Sequence, residues 1–304
     1  MNARLDTVVD PATATSDWLR QQKGRVDAAL SVHLNDVKRA EPQQSRLLDA
    51  VEYSLTQGGK RLRPILTLES AAACGIDDDR AMPAAIAIEC VHAFSLIHDD
   101  LPAMDDDDLR RGVPTNHKVF GEALAILAGD WLLAHALELL ARHYPAPAAV
   151  ELTTVLCGGT KAMIAGQAAD IAGEGQPVRA ELVRYIHQHK TARLIQAGCR
   201  LGAIAAGANE KAAAGLGDFG LHLGLAFQIV DDILDCTATT EQLGKRAAKD
   251  AVAAKQTYPG AFGLDESRRR AESEVEAAIN ALKAAVAGPE RLIDLARFVL
   301  AREH

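Results

Sequence analysis

Six aspartates crowd the stretch SLIHDDLPAMDDDDLRRG (95–112), between Asp99 and Asp108, and Arg110 and Arg111 follow at once. A second stretch, AFQIVDDILD (226–235), also runs from apolar residues into an Asp-Asp pair and carries Asp231, Asp232 and Asp235. Asp231 and Asp235 are four apart, so a helix puts them on one face, where like charges repel unless a cation lies between them. An all-oxygen ligand set suits Mg²⁺ or Mn²⁺, and Mg²⁺ is usually shared between carboxylates and substrate phosphates. In the first stretch Asp99, Asp100 and Asp105 are spaced too widely for one regular helical face. Pro102 is expected to interrupt the helix and let Asp105 swing back. Asp106, Asp107 and Asp108 read as solvated acids. An EF-hand does not fit, because its loop alternates acids around a central Gly and these acids are consecutive.

Carboxylates bridged by a divalent ion call for an anionic partner, and the cations to hold one stand in four clusters. GGKRLRP (58–64) carries Lys60, Arg61 and Arg63, with Gly58 and Gly59 free to let backbone approach a ligand and Pro64 suited to a helix start. HKT (189–191) carries Lys190 and Thr191; LGKRAAKDAVAAKQTYPG (243–260) carries Lys245, Lys249 and Lys255; Arg110 and Arg111 complete the set. Arginine forks match phosphate oxygens in pairs, whereas lysine supplies a point charge. Any one cluster alone reads as a solvated face. Two acidic sites together with these cations read as a Mg²⁺–diphosphate site.

The elements that must position these groups are helical. Of 304 residues 48% are hydrophobic but only 4% aromatic, with alanine and leucine dominant, a composition that favours helix over sheet. Helical periodicity covers 16–37, 81–100, 180–207 and 264–288, and Pro289 opens a last helix; no strand-like alternation exceeds a few residues. Between these stretches lie short turns, so the sequence reads as one all-α domain over 15–304, a large helical bundle, with 1–14 frayed. AFSLIHDD (93–100) and AFQIVDD (226–232) echo one another, which suggests two helices presenting acids towards one place. The net charge of -8 argues against non-specific nucleic-acid binding. Five scattered cysteines with no CxxC pair read as free thiols in a reducing, cytoplasmic setting rather than a zinc site. The first residues lack the apolar core of a signal peptide, and the apolar run 81–97, broken by Glu89 and His92, reads as a buried helix rather than a membrane span.

In this order, GGKRLRP, SLIHDDLPAMDDDDLRRG, GQAAD (166–170), HKT, AFQIVDDILD and LGKRAAKD…KQTYPG span residues 58–260, and through them the chain resembles the trans-isoprenyl diphosphate synthases, most closely their bacterial farnesyl group. The two-residue insertion Pro102-Ala103 in the first aspartate motif is of the bacterial type. The resemblance implies the isoprenoid-synthase fold, a homodimer, a deep cavity between helices, and a Mg²⁺-dependent prenyltransferase of isoprenoid biosynthesis that joins isopentenyl diphosphate to an allylic diphosphate. It implies that Asp99 and Asp105, with Asp100 near, hold Mg²⁺ on the allylic diphosphate. Asp231 would hold another from the opposite wall, supported by Asp232 and Asp235. Arg110, Lys190, Thr191, Gln228 and Lys245 match allylic contacts; Lys60, Arg63, His92 and Arg111 match the isopentenyl site; Gln167 and Lys255 sit in family motifs. His92, on an apolar helix, would otherwise read as a core histidine.

Phe94 bears on product length. It precedes Asp99 by five residues, about 7–8 Å along a helix axis, where a ring could floor the cavity. In the resembling family an aromatic here accompanies farnesyl products, while PTNHKVFGE (114–122) looks like geranylgeranyl synthases; farnesyl is the expected product and geranylgeranyl or longer the alternative. A class I terpene cyclase would carry an Asn/Ser/Glu-type second metal motif, and a non-catalytic partner subunit would have lost an acidic or basic motif. Neither departure is present.

Overall fold

Helix α1, Pro11–Ala40, begins inside the stretch expected to fray. In this computed structural model the described residues are 11–76, 79–237 and 256–302. Lys245, Lys249 and Lys255 lie outside them, so the expectations placed on those lysines are not addressed by the fold.

After α1 come α2 (Ser45–Thr56), α3 (Leu62–Ala73) and α4 (Met82–Asp99). Residues Met82 to Val91 of α4 are almost all buried, including Ala84, Ile86, Ile88 and Cys90 on every side of the helix. A helix apolar all round belongs at the centre of a bundle, and α4 is indeed enclosed by α3, by α6 (Glu122–His143) and by α9 (Arg193–Ala205). Between α4 and α6 lie a two-residue hairpin, β1 (Leu109–Arg110) and β2 (Val113–Pro114), and the short α5 (Asn116–Phe120). The hairpin pairs Leu109 with Pro114 and Arg110 with Val113, and its turn puts Arg111 at φ 54° and Gly112 at φ 82°, the left-handed pair that two-residue hairpins prefer.

Helix α7 (Ala146–Gly173) leads to α8 (Ala180–Ile186), a π-helical turn (His187–Ala192) and α9. The single long helix expected over 180–207 is present as a continuous helical run from Ala180 to Ala205, with the π-helical turn inside it falling on HKT. Helix α10 (Glu210–Thr237) forms the second centre, packed on α9, on the π-turn and on α12 (Leu264–Ala285); α11 (Tyr258–Phe262) and α13 (Glu290–Leu300) close this side. One core surrounds α4 through Leu30, Val51, Leu132 and Leu156, and the other surrounds α10 through Phe219, Leu223, Val275 and Leu295. Trp18 and Leu19 of α1 pack against both.

Among the described residues four helical stretches, Asp79–Asp99, Glu122–His143, Ala146–Gly173 and Glu210–Thr237, are long and apolar enough by length and composition to cross a membrane. The bundle covers the apolar window of the first most fully, 72% buried, and that of Ala146–Gly173 least, 33% buried.

Candidate active site

A cavity of about 460 Å³ opens between α4 and α10. Its lining brings together Lys60, Arg63, His92, Arg111, Thr191 and Gln228, six of the residues expected to contact substrate. The loop before α3 is held by Arg61, which stands at φ 51° and is 5% exposed. Its guanidinium donates to Asp27 (2.8 Å), to the buried Glu89 (2.6 Å) and to the Leu55 carbonyl (2.7 Å). Arg61 borders the cavity too, but its guanidinium is engaged by these three partners, whereas Lys60 and Arg63 also line it and Arg63 keeps an unpaired donor. Gly58 and Gly59 stand at φ 85° and 105°, and a Cβ on Gly59 would lie 2.5 Å from Arg111 Nη1. The two glycines let the Arg111 guanidinium lie against the loop, where it donates to the Gly58 carbonyl at 2.7 Å.

The electrostatics of this wall ask for an anion. Burial and then the charges of Arg63, Arg111, Arg110 and Arg61 drive the His92 imidazole well below its usual range, so it is neutral there. Burial pushes Arg63 down to about 10, with Arg111 adding to the effect and Glu89 opposing it. Arg63 Nε is buried with no hydrogen-bond partner. Crowded guanidiniums with an orphaned donor form a site whose missing component is negative.

At the end of α4 the helix stops at Asp99, and the Asp105 N–H returns to the Asp99 carbonyl at 2.8 Å. Pro102 lies in the intervening turn, and Asp105 swings back as its spacing requires. Asp100 is 3% exposed and takes three short bonds from the Arg110 guanidinium, between 2.5 and 2.9 Å. Burial, with Asp105 and Asp100 close by, raises the Asp99 carboxyl to about 7, against the opposing pull of Lys190 and Arg110. The GQAAD segment of α7 explains how Lys190 arrives there. A Cβ on Gly166 would fall 2.1 Å from the Lys190 nitrogen, so only glycine lets α7 touch the π-turn backbone. One residue on, Gln167 donates to Asp105 at 3.3 Å; one turn on, Asp170 accepts from Lys190 Nζ at 2.5 Å. The π-turn also aims Thr191 at Gln228 of α10, a bond of 2.8 Å.

On α10, Asp231 is raised by burial, while Arg302 and Lys60 pull the other way. Asp235 is exposed one turn further on. The chain matches the polyprenyl synthetase model over residues 44–294. The chain belongs to the polyprenyl synthetase family. It is 42% identical over 297 residues to the farnesyl diphosphate synthase of Geobacillus stearothermophilus, a match covering 96% of this chain and 99% of that one. It is 44% identical over 268 residues to a chloroplastic geranylgeranyl pyrophosphate synthase of Catharanthus roseus, 85% of this chain and 74% of that protein. The crystal structure of an FPP/GFPP synthase from Zymomonas mobilis superposes with a TM-score of 0.81 at 33% identity, over 95% of this chain and 99% of that one.

Within this polyprenyl synthetase three side chains have surroundings that the sequence did not disclose. Asp232, paired with Asp231 in sequence, is 8% exposed and directed into the protein, where its carboxylate accepts the Tyr258 N–H at 2.8 Å. Phe94 is buried in the α4 core, edge-on to His98 with ring centroids 4.9 Å apart. Arg302, which the sequence reading passed over, pairs with Asp231 at 2.9 Å and lies over the Phe227 ring at 4.4 Å. The one signal for it was a basic residue just beyond the last helix. Among the described residues no three His, Cys, Asp or Glu side chains converge as a ready-made metal cage. The donor set is all carboxylate, few to each wall, which suits an ion that takes its remaining ligands from phosphate and water.

Proposed function

We propose that this polyprenyl synthetase condenses isopentenyl diphosphate with dimethylallyl or geranyl diphosphate and releases farnesyl diphosphate. The observation that carries the reading is the cavity wall of Lys60, Arg63 and Arg111 with the neutral His92 among them, cationic, with a buried guanidinium donor unpaired and Lys60 acting on Asp231 of α10. Such a wall binds the diphosphate of isopentenyl diphosphate. Asp99 and Asp105 on one side and Asp231 and Asp235 on the other would hold Mg²⁺, with Mn²⁺ an alternative. When bound, the metal neutralises the allylic diphosphate as it departs.

The chain's own groups account for the remaining steps. Lys190 and Arg110 add positive charge where the leaving diphosphate gains negative charge, and the allylic C–O bond ionises. Apolar Ile195 and Phe227 line the cavity beside the polar groups and keep water from the cation. The alkene of isopentenyl diphosphate, fixed by the basic wall, attacks the allylic carbon, and the resulting cation loses a proton to the departing diphosphate. The Thr191–Gln228 pair stands where partial negative charge can face that cation. Lys245 is assigned to the allylic diphosphate, and Lys255 to substrate binding, by motif alone. A homodimer is the working assembly, supported by exposed apolar side chains on α6 (Ile126, Leu127) and α7 (Val150, Ile164), and a cytoplasmic location fits the free cysteines.

The test supplies purified protein with isopentenyl diphosphate, Mg²⁺ and each allylic starter in turn, and resolves the products by chain length. Farnesyl diphosphate from both starters is expected. A product of twenty carbons or more from the wild type would replace the farnesyl assignment with the geranylgeranyl one, and absence of any condensation would overturn the reading.

A further inference from the structure

The Asp232 carboxylate is surrounded by donors. Tyr258 N–H reaches its Oδ2 at 2.8 Å, His187 Nε2 lies 3.1 Å from the same oxygen, and Gln228 Nε2 lies 3.4 Å from Oδ1. His187 is 3% exposed and opens the π-turn; its ring stacks on Tyr258 with centroids 4.9 Å apart and planes 28° apart. Gln228 is the residue that Thr191 of the π-turn holds. Beyond Tyr258, Phe262 is held between Arg184 of α8 and Arg270 of α12, at 5.1 and 4.3 Å. One carboxylate thus ties together the α10 helix that carries Asp231, the π-turn that carries Lys190 and Thr191, and the start of α11.

We propose that Asp232 is a latch rather than a metal ligand, and that His187 is the positioning residue that closes it: the pair fixes the π-turn against α10 and so sets where Lys190 and Thr191 stand over the allylic substrate. Geometry excludes the other role. Adjacent helical residues point about 100° apart: Asp231, one turn beyond the cavity-lining Phe227, pairs with Arg302, while Asp232 is 8% exposed and turned inward. With the Tyr258 N–H and the Gln228 amide donating to it and His187 Nε2 within 3.1 Å, the carboxylate has its oxygens occupied inside the protein. His187 turns Nε2 towards Asp232, while its Nδ1 is buried without a partner. The inference rests on the prenyltransferase reading above, and the wild-type assay separates the two.

The experiment compares wild type, His187→Phe, His187→Gln, Asp232→Asn and Asp231→Asn. Phenylalanine keeps the ring against Tyr258 but loses the donor; glutamine keeps a donor at the same reach. His187→Phe should lower kcat on the order of 10²-fold, the loss expected when a reacting geometry shifts by about an ångström. It should raise KM for the allylic diphosphate and leave KM for isopentenyl diphosphate within about twofold, since the basic wall is not carried by the π-turn. His187→Gln should recover most of kcat. Asp232→Asn should lower kcat while the Mg²⁺ concentration for half-maximal rate stays at the wild-type value, whereas Asp231→Asn should raise that concentration. Equal Mg²⁺ requirements in the two Asp variants would make Asp232 a ligand and overturn the latch. So would wild-type kinetics in His187→Phe, or a fall in melting temperature alone. An inactive wild type would instead remove the reading on which the proposal stands.

Discussion

Asp99 and Asp231 are each raised by burial and each faced by a cation of the chain, Lys190 for the first and Arg302 and Lys60 for the second. A buried carboxyl with only partial compensation is poised to gain from a divalent ion. Asp99→Ala or Asp231→Ala should each cost roughly 10²–10⁵-fold in turnover, a loss of several kcal/mol of transition-state stabilisation. Steady-state rates of isopentenyl incorporation check this, and near-normal turnover in either variant, or full activity in EDTA, contradicts it. Arg61 makes a different kind of prediction. It neutralises Glu89, and both are almost fully buried, so Arg61→Ala strands a carboxylate in the core. Loss of one partner from a buried pair costs about 3–5 kcal/mol, to be read from urea unfolding. Phe94 takes an intermediate place. It is packed in the α4 core, so Phe94→Ala should lose about 3–5 kcal/mol of stability as a large-to-small core change. It should also lengthen the product if the space it vacates joins the cavity. An unchanged product profile would assign the floor to another residue.

At the scale of elements, the contact of α7 with the π-turn is the one that sequence periodicity hides. Gly166→Leu must push the Lys190 backbone away or shift α7. Lys190 would then lose its approach to Asp99, and activity should fall far more than stability; paired rate and melting measurements test the difference. Helices α1 and α6 meet through two imidazoles, His33 Nε2 and His135 Nε2, 2.7 Å apart, with Trp131 stacked on His135. Burial, then the neighbouring His135 and His143, pushes His33 down to about 4 from 6.5, with Asp36 and Glu138 opposing. The folded state therefore binds fewer protons than the unfolded chain between these values. Its contribution is fully present above pH 6.5 and is lost as pH falls towards 4. The melting temperature should decline across that window, and His33→Asn should flatten the slope.

For the whole molecule, α6 and α7 are the apolar helices that the bundle covers least. A dimer that seats them on a second copy removes Ile126, Leu127 and Ile164 from water. Leu127→Glu with Ile164→Glu should yield a monomer by light scattering, and a monomeric wild type would show that something else covers this face. The sequence by itself determined the class of the fold and most of the chemistry. Helical periodicity, the Asp99–Asp105 and Asp231–Asp235 spacings and the GGKRLRP and HKT cations are local patterns, each legible within a few turns of chain. It could not sort neighbours of the same type. Arg61 and Arg63, or Asp231 and Asp232, are alike in sequence, and only the surrounding helices decide which arginine is spent on Glu89, and which aspartate meets Arg302 and which meets Tyr258. The π-turn was equally hidden, because its residues have ordinary helical propensities and its close approach to Gly166 of α7 joins segments far apart in the chain. Arg302 reaches Asp231 only once α13 has docked beside α10. These assignments depend on packing between segments far apart in the chain, and such packing fixes side-chain direction only when the tertiary structure has formed.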